Sequence, residues 1–174
     1  GTNYGATNTT YFAGGGGGGV GGRPAGGCGG GVVYVQVRGR MTVDGALYAR
    51  GGAGGYDCGG GSGGGIFLVC AQFRGGSTAR MNASGGNGYA VQSGGGGGGR
   101  IAVWYDTSPE AVASVLGRPD YAGVEVSTNH PDYAGAIAVT NGIGPTFPPD
   151  GYAAYPGTVF FFKPLSKGTV LFVR

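Results

Sequence analysis

Charge is scarce in this chain. Eleven Lys and Arg and eight Asp and Glu are scattered over 174 residues, and no basic run is present that would grip a phosphate backbone, so nucleic acid is not an expected partner. Histidine occurs once, at His130, and any Ser-His-Asp or Cys-His arrangement would have to use it; no G-x-S-x-G elbow accompanies it. Cysteine occurs three times and never in the CxxC spacing of a zinc site. No apolar run approaches the roughly 20 residues of a bilayer-spanning helix, so no membrane span is expected. Gly61-Ser62-Gly63 has G-x-G spacing but runs into a β-prone segment with no P-loop lysine, which argues against phosphate cradling. Asp120, Asp132 and Asp150 are the carboxylates left for glycosidase-type chemistry, whereas Asp106 and Glu110 straddle the start of a short helix. The expectation is a protein that is not an enzyme and that uses no cofactor.

What the chain has in excess is glycine, 46 residues of it. A flexible low-complexity tether is the first alternative this raises. Against it stand 40% apolar residues, eleven tyrosines and eight phenylalanines, since disordered chains are poor in aromatics and rich in charge. Sliding the sequence by 34 residues brings Val32, Val33, Tyr34 and Val35 onto Ile66, Phe67, Leu68 and Val69, and Leu47, Ala49 and Gly51 onto Met81, Ala83 and Gly85. At the same shift Ile101 and Val103 fall on Phe67 and Val69. Glycine runs beside Val, Ile, Phe and Tyr favour strands over helical hairpins, so the repeat is read as a β repeat. The predicted fold is mostly β: stacked β-repeats, either a β-helix or sandwich-like, beside a glycine-rich bundle of the polyglycine II type.

The bundle follows from the phase of the glycine tracts at 14–19, 26–31, 59–65 and 94–99, the last three of which lead directly into apolar runs. Fixing glycine costs more backbone entropy than fixing any other residue, so a packed arrangement must offset the loss. Extended threefold helices do this, because missing side chains let backbones approach and hydrogen-bond. Ser62, Ala53 and Val20, which interrupt or end the tracts, would then have to point outward.

In the strands, Val33, Val35 and Val37 alternate with Tyr34, Gln36 and Arg38, and the 34-residue shift places Phe67, Val69 and Ala71, then Ile101, Val103 and Tyr105, in the same inward column. Asp44-Gly45 between two short β-prone runs is a tight-turn signal. Ser108, Pro109 and Gly117 cap the single convincing helix, and Pro-Asp-Tyr-Ala-Gly occurs twice, at Pro119 and Pro131. Those two segments read as turns; as a ligand loop for a sugar or cation they would use Asp120, Tyr121, Asp132 and Tyr133. Cys28 and Cys58 are disulfide candidates if the glycine tracts lie side by side, with two thiols as the alternative, and Cys70 reads as a buried hydrophobe. Asn8 and Asn82 fit the N-x-[ST] pattern of glycan acceptors. The organisation is an extended arm over residues 1–13, glycine-rich repeats over 14–105, and a loop-decorated β part of the same domain over 106–174. The arm is either a frayed terminus or a strand that pairs with a neighbouring molecule. Tyr4, Tyr11 and Phe12 in the arm, and Phe160, Phe161, Phe162 and Phe172 in the apolar ending, are the candidate assembly interface.

The blocks GGGSGGGIFLV, ASGGNG, GGGGGGRIAVWY and PGTVFFFKPLSKGTVLFV together resemble the glycine-rich repeat modules of very large secreted surface proteins of environmental bacteria. The resemblance implies an adhesin-like or matrix component without catalytic apparatus, and the absence of an initiating Met at Gly1 fits export, although a piece cut from a longer chain would start the same way. The expected function is a structural subunit of an extracellular filament or surface matrix whose partners are copies of itself, joined head to tail. The rival reading is an adhesin-type module that binds extracellular glycans or ice through its tyrosine-rich loops.

Overall fold

The computed structural model describes residues 12–22, 25–89, 93–116, 124–144 and 154–165. In chain order the elements are β1 (Val32–Gln36), β2 (Arg40–Val43), β3 (Ala46–Tyr48), β4 (Gly65–Val69), β5 (Gln72–Gly75), β6 (Arg80–Asn82), β7 (Arg100–Trp104), α1 (Pro109–Leu116), β8 (Val124–Ser127), β9 (Ala136–Ala138) and β10 (Thr158–Pro164). The protein is β-rich, with one short helix among the described residues. Ser108 caps that helix: its Oγ accepts the Ala111 N–H at 3.3 Å, and Pro109 takes the first position, where no N–H is needed.

Each strand of the first triplet pairs in parallel with the strand three elements later: β1 with β4, β2 with β5, β3 with β6. The main sheet has the order β1-β4-β7-β10-β8, parallel except for the antiparallel edge strand β8. A second sheet holds β2 and β5, extended by a bridge from Gly75 to Tyr133, and a third holds β3, β6 and β9. Asp44-Gly45 does turn the chain, but β2 and β3 belong to different sheets, so it makes a corner and not a hairpin.

The register corrects the repeat as it is read from the sequence. Val33 pairs with Ile66 and Ile66 with Ile101, separations of 33 and 35 residues whose mean is the 34 of the repeat. A slip of one residue moves a side chain to the opposite face. Ile66, Leu68 and Cys70 therefore share the inner core with Ile101, Val103 and Phe161, together with Met41, Phe73, Met81 and Tyr133. Phe67 and Val69 face outward, where Ala102, Trp104 and Phe162 continue the column and α1 covers it with Val112. Both faces of β4 are fully buried, and Trp104 stacks on Phe162 with ring centroids 4.6 Å apart.

The glycine tracts are ordered by hydrogen bonds that recur every third residue. Along 59–64 six consecutive N–H groups donate in rotation to three neighbours: Gly59 and Ser62 to Gly18 and Gly15, Gly60 and Gly63 to Gly94 and Gly97, Gly61 and Gly64 to Gly52 and Ala49. The same spacing joins 14–19 to 26–31, through Gly14 to Gly30 and Gly17 to Gly27. A Cβ added at Gly60, Gly63 or Gly99 would lie 1.9–2.0 Å from a backbone oxygen, whereas at Gly18 or Gly94 it would meet nothing within 4 Å. Ala53 and Val20 are exposed, and half-buried Ser62 donates its hydroxyl to the Gly15 carbonyl at 3.1 Å.

Candidate functional site

Two surfaces stand out. The first is the exposed flank of β1. Its residues lie in register with β4, yet Val32, Tyr34 and Val35 are 37–46% exposed where Gly65, Phe67 and Leu68 are buried. Tyr34 lies flat over Phe67, with ring centroids 5.3 Å apart. Among the described residues β1 pairs on one edge only. Tyr48 at 57% exposure adds to this apolar end.

The second surface is a cleft of about 490 Å³ lined by Gln72, Phe73, Arg74, Tyr105, Asp106, Glu125, Ser127, Asn129, His130, Pro131, Asp132 and Lys163. The pairing of β7 with β10 builds it: Trp104 opposite Phe162 carries the next residues, Tyr105, Asp106 and Lys163, to one end of the main sheet. Lys163 Nζ lies 2.9 Å from Asp106 Oδ2, and that hydrogen bond and charge hold the ammonium pKa above its ordinary value. Asp106 sits at φ 53, in the left-handed region that Asp tolerates better than most side chains. His130 is wedged edge-on against Tyr105 and Phe73, and its Nδ1 accepts the Asp132 N–H at 3.1 Å, which requires that nitrogen to be unprotonated. Burial lowers the His130 pKa and outweighs the opposing charges of Asp132 and Asp106. Burial likewise raises the Tyr105 phenol. No group of His, Cys, Asp and Glu among the described residues is arranged to hold a metal ion. The cleft offers an aromatic ring, paired charges and amide groups to a polar ligand.

The residues singled out in the sequence are distributed unevenly over these surfaces. Phe161 and Phe162 are 1% and 2% exposed and Phe160 is half-buried, so these three side chains pack on the chain's own core on the two faces of the main sheet. Phe12 is 63% exposed. Tyr4, Tyr11, Phe172, Asp120 and Tyr121 lie outside the described residues, as do Asn8 and Asp150. Tyr133 is a core residue: it stacks on Phe73 at 5.5 Å and its hydroxyl donates to the Ala136 carbonyl, so it is turned away from any ligand. Asp132 does border the cleft, 4.0 Å from Arg74.

No disulfide joins Cys28 and Cys58. The tracts that carry them are adjacent, but Cys28 is exposed, whereas Cys58 is buried with its Sγ donating to the Tyr56 carbonyl at 3.4 Å. Cys70 is buried in the core, where desolvation, reinforced by the charge of Asp106, pushes its thiol pKa up to about 12. Asn82 is half-buried in β6 and its Oδ1 accepts the Ser84 N–H. The cleft itself carries no sequence signature, because it is assembled from β5, the residues that follow β7, β8 with the loop after it, and β10, far apart in the chain.

These features define a β-rich chain with no helix, among the described residues, long and apolar enough to cross a membrane. No family model matches it, and neither a curated protein nor a solved structure does.

Proposed function

We propose that the chain is a structural subunit that assembles head to tail with copies of itself into an extracellular filament or surface matrix. In this reading the three sheets are the faces of a β-helix, each triplet of strands is one coil, and the glycine tracts form a bundle of polyglycine II helices along its side. The contrast between β1 and β4 carries the proposal. Equivalent strands in register are exposed in the first coil and buried in the second, so among the described residues the first coil has the surface of an interior coil without a strand that covers it. A repeat stack without a polar cap is satisfied by another stack, and joining of that kind runs on without closing. Secretion follows from the resemblance to secreted surface repeat proteins and is part of the same proposal. Negative-stain electron microscopy of the purified chain tests it: fibres with a regular subunit rise are expected, and monodisperse particles at all concentrations refute it.

The cleft favours a second reading, a glycan-binding module, because Tyr105 beside Asp132, Asn129 and Gln72 supplies an aromatic face with polar groups for sugar hydroxyls. Binding on a glycan array that is lost in Tyr105→Ala, without fibres, would select it.

A further inference from the structure

Among the described residues the ring of glycine tracts is incomplete. A threefold helix carries one N–H and one C=O on each of three residues per turn, so it can bond to neighbours in six directions. Around 59–64 five of the six are filled, and donors alternate with acceptors. Gly59 and Ser62 donate to 14–19, and their carbonyls accept from Gly27 and Gly30. Gly61 donates to Gly52, and its carbonyl accepts from Gly86. Gly60 and Gly63 donate to Gly94 and Gly97. The direction left over belongs to the carbonyls of Gly60 and Gly63, which accept no backbone hydrogen bond from a described residue although both glycines are buried. Successive neighbours in the ring are also bonded to one another, from 14–19 to 26–31, 49–54, 83–88 and 93–99, and among the described residues no backbone hydrogen bond joins its last member to its first. A groove of about 530 Å³ lies there, lined by Gly15 to Val20, Asp57, Gly59, Gly60, Ser62 and Ser93 to Gly96.

We infer that this groove takes a glycine tract from a second copy of the chain, residues 14–19, as a sixth threefold helix whose N–H groups donate to the Gly60 and Gly63 carbonyls. The filled positions show what such a place admits, since a Cβ there meets backbone oxygen at about 2 Å and only glycine-like tracts enter. Tract 14–19 has the right length: the groove is walled by six residues, about 19 Å at the threefold rise. It is also the least enclosed tract, with Gly15, Gly16, Gly18 and Gly19 exposed. Within its own chain it already occupies the equivalent position, flanking 26–31 and 59–64, and the groove is the next place in that column, flanking 59–64 and 93–96. The contact lies on the flank of the stack and so joins copies side by side, which deepens the filament reading and rests on it for the identity of the occupant.

Gly94→Leu and Gly18→Leu test this. A Cβ at either glycine meets nothing within 4 Å in the single chain, so the fold is kept while the groove wall or the inserted tract becomes too wide. The readout is electron microscopy and sedimentation of the full chain beside the melting temperature. Expected are laterally bundled wild-type fibres, and single unbundled fibres from both variants, with the bundled fraction down about ten-fold or more and the melting temperature unchanged. Variants that bundle like the wild type, or a wild type whose fibres never bundle, overturn the inference and leave the filament reading standing. Wild-type pairs that both variants abolish, without fibres, keep the inference and remove the filament; a strictly monomeric wild type removes both.

Discussion

Replacing Gly60 with Ala tests whether the glycine tracts are a packed solid. The added Cβ would sit 1.9 Å from the Gly86 carbonyl oxygen and 2.5 Å from its carbon, about 1.5 Å short of the 3.4 Å at which ordinary contact begins. Neither partner is a side chain that can swing away, so one backbone must move. The move lengthens the bonds Gly86 makes on either side, its N–H to the Gly61 carbonyl and its carbonyl to the Gly96 N–H, both 2.8 Å. Overpacking of this kind costs roughly 1–3 kcal/mol, and two hydrogen bonds at roughly 1 kcal/mol each bring the loss to about 3–5 kcal/mol. That is a large part of the roughly 5–15 kcal/mol that holds a domain together, and for a chain of this size it lowers the melting temperature by about 6–20 °C. Gly18→Ala is the matched control: its Cβ meets nothing within 4 Å, and removing a glycine from the unfolded chain should stabilise by about 0.4–1 kcal/mol. Thermal melts followed by circular dichroism distinguish the two. Equal melting temperatures for Gly60→Ala and Gly18→Ala would mean that the tracts are loose tethers, and the account of their packing would be wrong.

Three further outcomes are expected. Iodoacetamide at mildly alkaline pH should label Cys28 in the native protein and leave buried Cys58 and Cys70 untouched, the latter held as a thiol by its pKa of about 12; mass spectrometry of native and denatured samples reads the difference. Because His130 titrates below its ordinary 6.5 in the folded chain, the unfolded chain takes up the proton first, so this contribution to stability is complete above pH 6.5 and is lost as pH falls below it. His130→Asn, which keeps an acceptor near the Asp132 N–H, should flatten the acid side of the melting-temperature profile. Phe67→Ala should cost about 3–5 kcal/mol in a urea titration, because its ring is fully buried on the outer face of the main sheet beneath α1.

Local patterns carried the first strands, and the 34-residue repeat gave the pairing of β1, β4 and β7 to within one residue. The alternation of Val33, Val35 and Val37 identifies the first strand, and Ser108-Pro109 marks the start of α1 to the residue. The face assignment of the second strand failed because Ile66, Phe67, Leu68 and Val69 are all apolar: a strand buried on both faces has no period to read, and one residue of slip goes unnoticed. What buries the outer face is a segment inserted after β7, so that β10 pairs with β7 across 58 residues, a spacing no repeat search anticipates. The cleft depends on that same insertion and was invisible for the same reason. Tyr133 misleads as a loop residue because Pro-Asp-Tyr-Ala-Gly has turn chemistry, while its ring fills a hole over Phe73 that only the folded chain contains.

The edge strand β8 runs against the other four strands of the main sheet, and it closes the side of that sheet opposite β1. Among the described residues the two edge strands of the main sheet are therefore unlike: β1 is paired in parallel on one side, and β8 is reversed, while β9 on the third sheet is not. A fibre made from such units would have a direction. It would also be jointed, with one mechanical seam per subunit where the hydrogen-bond sense changes, and under tension it should part at those seams before any coil unwinds.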